Sequence, residues 1–361
     1  MMVTSGTKLE RKSARKSRQA EAWPRDANIP RPFFRAGKSI LARAWEARHR
    51  TSKQTGVLQM RDFNQNNITG AVIASFRQTP DARLKQIMTG LADHLHRFVS
   101  EVELTPEEWA CAIDFLTRTG QICSDTRQEF ILLSDTLGVS MLVDALSHGA
   151  LEGATASTVL GPFFVQNSPS RPHGADISRG LPGQPLFVES RVTSVDGRPI
   201  AGAKVEVWQS DADGYYDVQR ADLDQATLRA SFTTGADGGF NFWSIMPRYY
   251  PIPDDGPVGE MLKATGRHPN RPAHIHFKIE GPGFETLVTH LFDAESPYLD
   301  GDAVFGVKNS LIVEFSRQSA GVGPDSKSMP KPWRRLSYRF GLKPQLAEAR
   351  AAETARSAAA G

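Results

Sequence analysis

Two histidines one residue apart, His274 and His276, lie in the alternating segment 273–280 (AHIHFKIE). Side chains two apart on a strand point the same way, so both imidazoles project from one face. Ala273, Ile275, Phe277 and Ile279 take the opposite face and would fill a core. Such a histidine pair can chelate a metal, although a solvated polar face would also place two histidines there. His94 and His96 have the same spacing in a helical pattern, where residues i and i+2 are roughly 200° apart and cannot share a metal. Arg271-Pro272 precedes the strand pair, and proline at a strand start fixes how the chain enters it. The chain has 6 tyrosines, and four form two adjacent pairs, Tyr215-Tyr216 and Tyr249-Tyr250. Each pair sits at a strand or turn boundary, where binding residues concentrate, although tyrosines there are ordinarily packing residues. If one tyrosine of each pair joins the histidines, two phenolates and two imidazoles suit a hard trivalent ion and favour Fe(III) over Fe(II). Metal binding would pull both phenol pKa values far below the free value.

The elements that must position these residues fall into two groups. From Asp81 to Glu103, Leu84, Ile87, Met88, Leu91, Leu95, Phe98 and Val99 recur at three- and four-residue intervals, the pattern of an amphipathic helix. Thr105, Pro106 and Glu108 form a capping-box signature for a second helix carrying Trp109, Ile113 and Leu116 and stopping near Gly120. A third helical stretch runs from Gln128 to Leu146 with a break near Gly138. Beyond Gly161 the period changes to two, in segments 186–193, 203–208, 239–245, 273–280, 286–292 and 311–316. Asp196-Gly197, Asp213-Gly214, Asp237-Gly238 and Gly281-Pro282-Gly283 supply turns between them. The expected fold is mainly β: a β-sandwich behind an N-terminal α-helical stretch.

A chain of 361 residues needs no disulfide staples. The two cysteines, Cys111 and Cys123, fit no metal motif and are expected as buried small hydrophobes in a reducing compartment. No apolar run is long enough to span a bilayer and no signal-peptide core follows the basic start, so a soluble, cytoplasmic protein without membrane insertion is expected. Residues 1–59 carry 14 Lys/Arg against 4 Asp/Glu. Without a nucleic-acid-binding motif this reads as a solvated, disordered extension, with no nucleic acid as partner and a natural start near Met60. The tail, 343–361, is expected to be flexible.

Four segments together resemble the intradiol ring-cleavage dioxygenases: Gly161-Pro162-Phe163-Phe164, 207–219 (VWQSDADGYYDVQ), 247–258 (PRYYPIPDDGPV) and 271–277 (RPAHIHF). The likeness runs from about Met60 to about Leu342. It implies a helical dimerisation domain over 60–160 and an iron-binding β-sandwich over 161–342. It also implies a homodimer with a lipid at its interface, and a non-haem Fe(III) held by Tyr216, Tyr250, His274 and His276. Tyr215 and Tyr249 would then be packing residues. The substrates would be an aromatic diol or triol and O2. Both ring hydroxyls would chelate the iron, Tyr250 would act as base, and Arg271 would stabilise carbanion charge as the ring opens to a cis,cis-muconate.

Segments 131–138 (ILLSDTLG), 250–258 and 298–306 (YLDGDAVFG) look more like the hydroxyquinol branch than the catechol branch of that family. The catechol branch typically has proline where Asp135 stands, and an acid there can accept a hydrogen bond from a third ring hydroxyl. The other pocket residues implied are Leu132, Val159, Gly161, Pro162, Phe163, Pro251, Ile252 and Val304. His290 replaces a glutamine and is expected beside the metal ligands, not among them. Three alternatives stand beside this reading: catechol or chlorocatechol cleavage, a zinc or Fe(II) site, and a non-catalytic sandwich.

Overall fold

The computed structural model describes residues 61–124 and 127–345; the basic arm 1–59, Met60 and the tail from Leu346 onward lie outside them. The chain divides into two compact units, one ending at Val102 and the other beginning at Glu103.

The first unit holds helices α1 (Ile68–Ser75) and α2 (Ala82–Glu101). Asp81 caps α2 by accepting the Leu84 N–H at 2.7 Å. The expected apolar stripe is there, but it faces solvent: Leu84, Ile87, Leu91, Leu95 and Phe98 are each about half exposed. His96 Nδ1 lies 3.0 Å from Thr69 Oγ1, whereas His94 Nδ1 lies 2.6 Å from Arg97 Nη2, so this pair diverges as the helical period requires.

The second unit begins with α3 (Pro106–Gln121), closed by the full capping box between Thr105 and Glu108. Then come α4 (Glu129–Thr136) and α5 (Val139–Ser147), interrupted at Gly138 where the expected break falls. Cys111 is exposed and Cys123 half-buried. The expectation that both are buried fails, because α3 presents Cys111 to solvent on the side away from Trp109, Ile113 and Leu116, which are themselves exposed.

The strands follow: β1 (Pro185–Ser194), β2 (Lys204–Gln209), β3 (Arg229–Thr233), β4 (Gly239–Ile245), β5 (Tyr250–Pro251), then helix α6 (Pro257–Ala264) and β6 (Asn270–Arg271). After β7 (His274–Glu280) and β8 (Leu287–Asp293) come β9 (Ile312–Val313), β10 (Ser316–Gln318), β11 (Gly321–Val322), β12 (Ser328–Met329) and β13 (Trp333–Leu342). Two sheets carry the architecture, a four-stranded one in the order β10-β13-β1-β4 and a five-stranded one in the order β3-β2-β7-β8-β9. Their apolar faces supply one core: Val188, Phe240, Phe242, Leu336 and Phe340 come from the first, and Val207, Phe232, Ile275, Phe277 and Ile279 from the second.

Segment 311–316 is not one strand as its alternation suggests. The chain adds β9 to the five-stranded sheet, buries Phe315 in the core, and continues as β10 in the other sheet. A residue anchored in the core where the chain changes sheets breaks the ladder that alternation alone implies.

Candidate active site and metal centre

The five-stranded sheet fills the core with one face and builds the site on the other. Strand β7 has β2 and β8 as neighbours, with Trp208 and His290 both directly opposite His276, and Phe292 opposite His274. Opposed residues share a face, so Trp208, His276 and His290 form a row across three strands. The Trp208 ring stacks on His276 at 4.6 Å and 16°. His274 and His276 are each 1% exposed, which excludes the solvated-face alternative.

The tyrosines arrive from two loops. Asp213-Gly214 turns the chain after β2, with Gly214 at φ 94°. A side chain at Gly214 would meet the Tyr250 Cβ at 3.1 Å and the Tyr249 carbonyl at 3.2 Å, so glycine lets the two tyrosine-bearing segments touch. The following 3-10 turn fixes Tyr216, whose N–H donates to Gln219 Oε1 at 2.9 Å. Tyr250 sits in the β5–β6 ribbon directly opposite Arg271. Tyr216 and Tyr250 are buried, whereas Tyr215 is 52% exposed and so does not pack as expected; Tyr249 does pack, edge-on to Tyr298.

Four donor atoms converge. Tyr216 Oη lies 2.9 Å from His276 Nε2, 3.5 Å from His274 Nε2 and 3.3 Å from Tyr250 Oη, and the two Nε2 atoms are 3.1 Å apart. His274 Nδ1 donates to the Pro272 carbonyl at 2.7 Å, which leaves a bare lone pair on Nε2. Burial and the Arg271 charge push His274 down to about 3, and burial with the neighbouring His290 and His274 pushes His276 well down. Both imidazoles are therefore uncharged near neutrality, and their Nε2 atoms crowd together with two phenol oxygens, a concentration of donor atoms that suits a cation. Burial raises both tyrosine pKa values, Tyr216 further because Tyr250 adds to it while Arg271 restrains Tyr250. The donor set of two phenols and two imidazoles fits a hard metal ion.

Arg271 is buried beside them. Its Nη1 lies 3.4 Å from His274 Nε2, while Nε and Nη2 donate to the two Asp302 oxygens at 3.0 and 3.2 Å. Burial opposes its charge, but Asp302 more than restores it and raises the guanidinium pKa. His290 places Nδ1 3.4 Å from Arg271 Nη2. Among the described residues His274, His276 and His290 form a three-histidine group with ligand atoms within 4.8 Å. What sets His274 and His276 apart is that their Nε2 atoms lie 3.5 and 2.9 Å from Tyr216 Oη, whereas Arg271 approaches His290 Nδ1 and His274 Nε2 alike at 3.4 Å.

The pocket residues named from sequence fall in more than one place. Leu132, Ile252 and Val304 pack in one cluster with Val258, Leu262 and Ala303, and Val159 borders it. Asp135, one turn beyond Leu132 on α4, is buried; burial raises its pKa against a hydrogen bond from Ser140 and the Arg271 charge. Gly161 passes so close that an added Cβ would lie 3.2 Å from His276 Cε1, with φ 78°. Phe163 stacks on Tyr216 at 4.4 Å. Pro162 and Pro251 are exposed, so their rings do not share in the buried part of the pocket.

Comparisons with known proteins agree with this geometry. The Dioxygenase family profile matches residues 159–344, and the Catechol dioxygenase N terminus profile matches 81–155. The chain belongs to the intradiol ring-cleavage dioxygenase family. The enzyme is 55% identical over 287 residues to the 6-chlorohydroxyquinol 1,2-dioxygenase of Cupriavidus pinatubonensis, covering 80% of this chain and 100% of that one. It is 48% identical to the hydroxyquinol 1,2-dioxygenase of Nocardioides simplex, covering 80% and 99%. Among solved structures, the hydroxyquinol 1,2-dioxygenase of Pseudomonas putida DLL-E4 matches with a TM-score of 0.74 at 48% identity, covering 78% of this chain and 99% of that one. The catechol 1,2-dioxygenase of Pseudomonas arvilla C-1 matches at 0.68 and 28%, covering 78% and 94%.

Sequence reading assigned no role to Trp208, Arg229 or Asp302. Trp208 and Asp302 lie inside segments that carried the family likeness, but only cross-strand pairing and the Arg271 contact reveal what they touch.

Proposed function

We propose that this dioxygenase cleaves hydroxyquinol between its two adjacent hydroxyl-bearing carbons, using O2 and a non-haem Fe(III) held by Tyr216, Tyr250, His274 and His276. The convergence of those four donors carries the reading, with Asp135 buried within reach of the Arg271 charge. When bound, ferric iron supplies a Lewis-acid centre that can chelate two adjacent ring hydroxylates and make the ring electron-rich enough for O2 to attack. The protein does the rest. Tyr250 Oη, as phenolate, takes a proton from one substrate hydroxyl. Arg271 keeps a fixed positive charge beside the ring and stabilises carbanion charge as it develops. Asp135 accepts a hydrogen bond from the third ring hydroxyl, which a catechol lacks. Leu132, Val159, Ile252, Phe163 and Val304 exclude water, and Gly161, Pro162 and Pro251 shape the walls by their backbone. The product is 3-hydroxy-cis,cis-muconate or its tautomer maleylacetate, a place in aromatic catabolism.

The half-exposed apolar stripe of α2 and the exposed Leu142, Val143 and Leu146 of α5 each need cover, which supports a homodimer with room for a lipid chain at its interface. Among the described residues no single helix is long and apolar enough to cross a membrane; we place the enzyme in the cytoplasm. The test is the visible spectrum of purified protein before and after anaerobic hydroxyquinol and, separately, catechol. A tyrosinate-to-iron(III) band that shifts most with hydroxyquinol is expected. A larger shift with catechol would reassign the substrate, and a colourless protein after iron reconstitution would end the ferric reading.

A further inference from the structure

The buried arginine that the mechanism does not use is Arg229, at the start of β3 and 4% exposed. It joins two parts of the site that no strand connects. Its Nε lies 3.2 and 3.1 Å from the two Asp217 carboxylate oxygens, and its Nη2 lies 2.7 Å from Asp217 Oδ1. The same Nη2 donates to the Phe163 carbonyl at 2.8 Å. Asp217 directly follows Tyr216 and opens the 3-10 turn that holds it. Phe163 lays its ring over Tyr216 at 4.4 Å and meets Tyr250 edge-on at 6.2 Å. One guanidinium therefore grips the turn that aims a phenol at the metal centre and the wall that stacks on that phenol.

Two further observations give this grip a chemical consequence. On the strand ladder Arg229 is the direct partner of Trp208, whose ring stacks on His276, so the clamp also touches the layer beneath an imidazole. Its Nη1 is buried without a hydrogen-bond partner among the described residues. A buried charged donor without a protein partner calls for an explanation, and a positioning role is one. Asp217 balances the charge, so Arg229 adds geometry rather than net field.

We infer that Arg229 is a positioning residue that, through Asp217 and the Phe163 carbonyl, sets the orientation of Tyr216 and of the aromatic wall over it. The inference rests on Tyr216 being a metal ligand. Partners that orient metal ligands typically alter affinity or activity about 10–100-fold when removed. Lysine cannot reproduce a planar fork that serves a carboxylate and a carbonyl at once, so Arg229→Lys is not conservative here.

The experiment compares wild type, Arg229→Lys, Arg229→Ala and Asp217→Asn by circular dichroism, ferric-ion titration of metal-free protein, the visible tyrosinate band, and KM and kcat per bound iron. For folded Arg229→Lys and Asp217→Asn, ferric affinity about tenfold or more below wild type and a displaced band are expected, with KM raised more than kcat falls. Added guanidinium should partly restore the band and KM of Arg229→Ala. Variants that melt earlier yet bind iron and substrate as wild type does would make Arg229 merely structural and overturn the inference. If Arg229→Ala does not fold, Asp217→Asn still decides, because it releases the same clamp from the other side. A wild-type protein without the tyrosinate band would instead remove the ligand assignment itself, a result separate from any change among variants.

Discussion

Replacing Asp302 by asparagine removes the carboxylate bonded to Arg271 while keeping its shape. Both side chains are nearly sealed from solvent, at 3% for Arg271 and 2% for Asp302, and they share two hydrogen bonds of 3.0 and 3.2 Å. Breaking a buried pair by deleting one partner costs about 3–5 kcal/mol, because the survivor is left charged in a poor solvent. The amide of the Asp302→Asn variant would still offer one oxygen to the guanidinium, so about 3 kcal/mol is expected. That is roughly a hundredfold shift in the folded-to-unfolded ratio. Urea unfolding of the metal-free protein at neutral pH reads it directly. Burial raises the Asp302 pKa, but the Arg271 charge and hydrogen bond outweigh it and hold the carboxyl below its usual range. Its contribution is therefore complete above pH of about 4, and disappears as the pH falls through the lower folded value. The wild type should show that loss in acid and the variant should lack it. A destabilisation below about 1 kcal/mol with an unchanged acid limb would refute the view that this pair anchors Arg271.

Three more outcomes follow from the site. Asp135→Ala should lower kcat/KM for hydroxyquinol by about five- to a hundredfold, the worth of about 1–3 kcal/mol, and leave catechol turnover little changed; an unchanged ratio of the two rates would clear Asp135 as selector. Gly161→Ala forces φ 78° on an L-residue and a methyl 3.2 Å from His276 Cε1, so stability should fall by about 1–2 kcal/mol and iron content per chain should drop. Full iron occupancy with wild-type melting would contradict that contact. Stripping iron with a chelator should lower Tm, because only the folded chain gathers the four donors, and re-adding ferric ion should restore it. A metal-independent Tm would count against the site.

Much of this enzyme was legible in its residues because the informative positions sit on regular elements. The His274-x-His276 face followed from strand period, and the α3 start from its capping box. The gathering of Leu132, Val159, Ile252 and Val304 followed from family likeness. What stayed hidden depended on contacts distant in sequence. Strand β13 is WRRLSYRFGL, whose three arginines mask the alternation of Leu336, Tyr338 and Phe340. Helix α6 carries Pro257 at its first turn, yet its eight residues include Gly259, too weak a pattern to stand out. Arg229 lies in a five-residue strand whose polarity argues against burial, until Asp217 and Phe163 are seen to meet it. Exposure of Cys111 and Tyr215 was equally invisible, since which side of an element finds a neighbour is a tertiary fact.

Strand β13 runs parallel to β1, pairing Leu186 with Arg334 and Leu342 with Ser194, and lies between β1 and β10 in its sheet. Nearly every residue of the candidate metal centre is made before it. A ribosome could thus release Tyr216, Tyr250, Arg271, His274 and His276 into a chain whose four-stranded sheet still lacks an inner strand. Contacts this far apart in sequence form slowly, and until they do the apolar faces of both sheets are open to other chains. The yield of active enzyme in a cell then turns on how long the half-finished sandwich waits for its last long strand, and on what keeps it apart from its neighbours meanwhile.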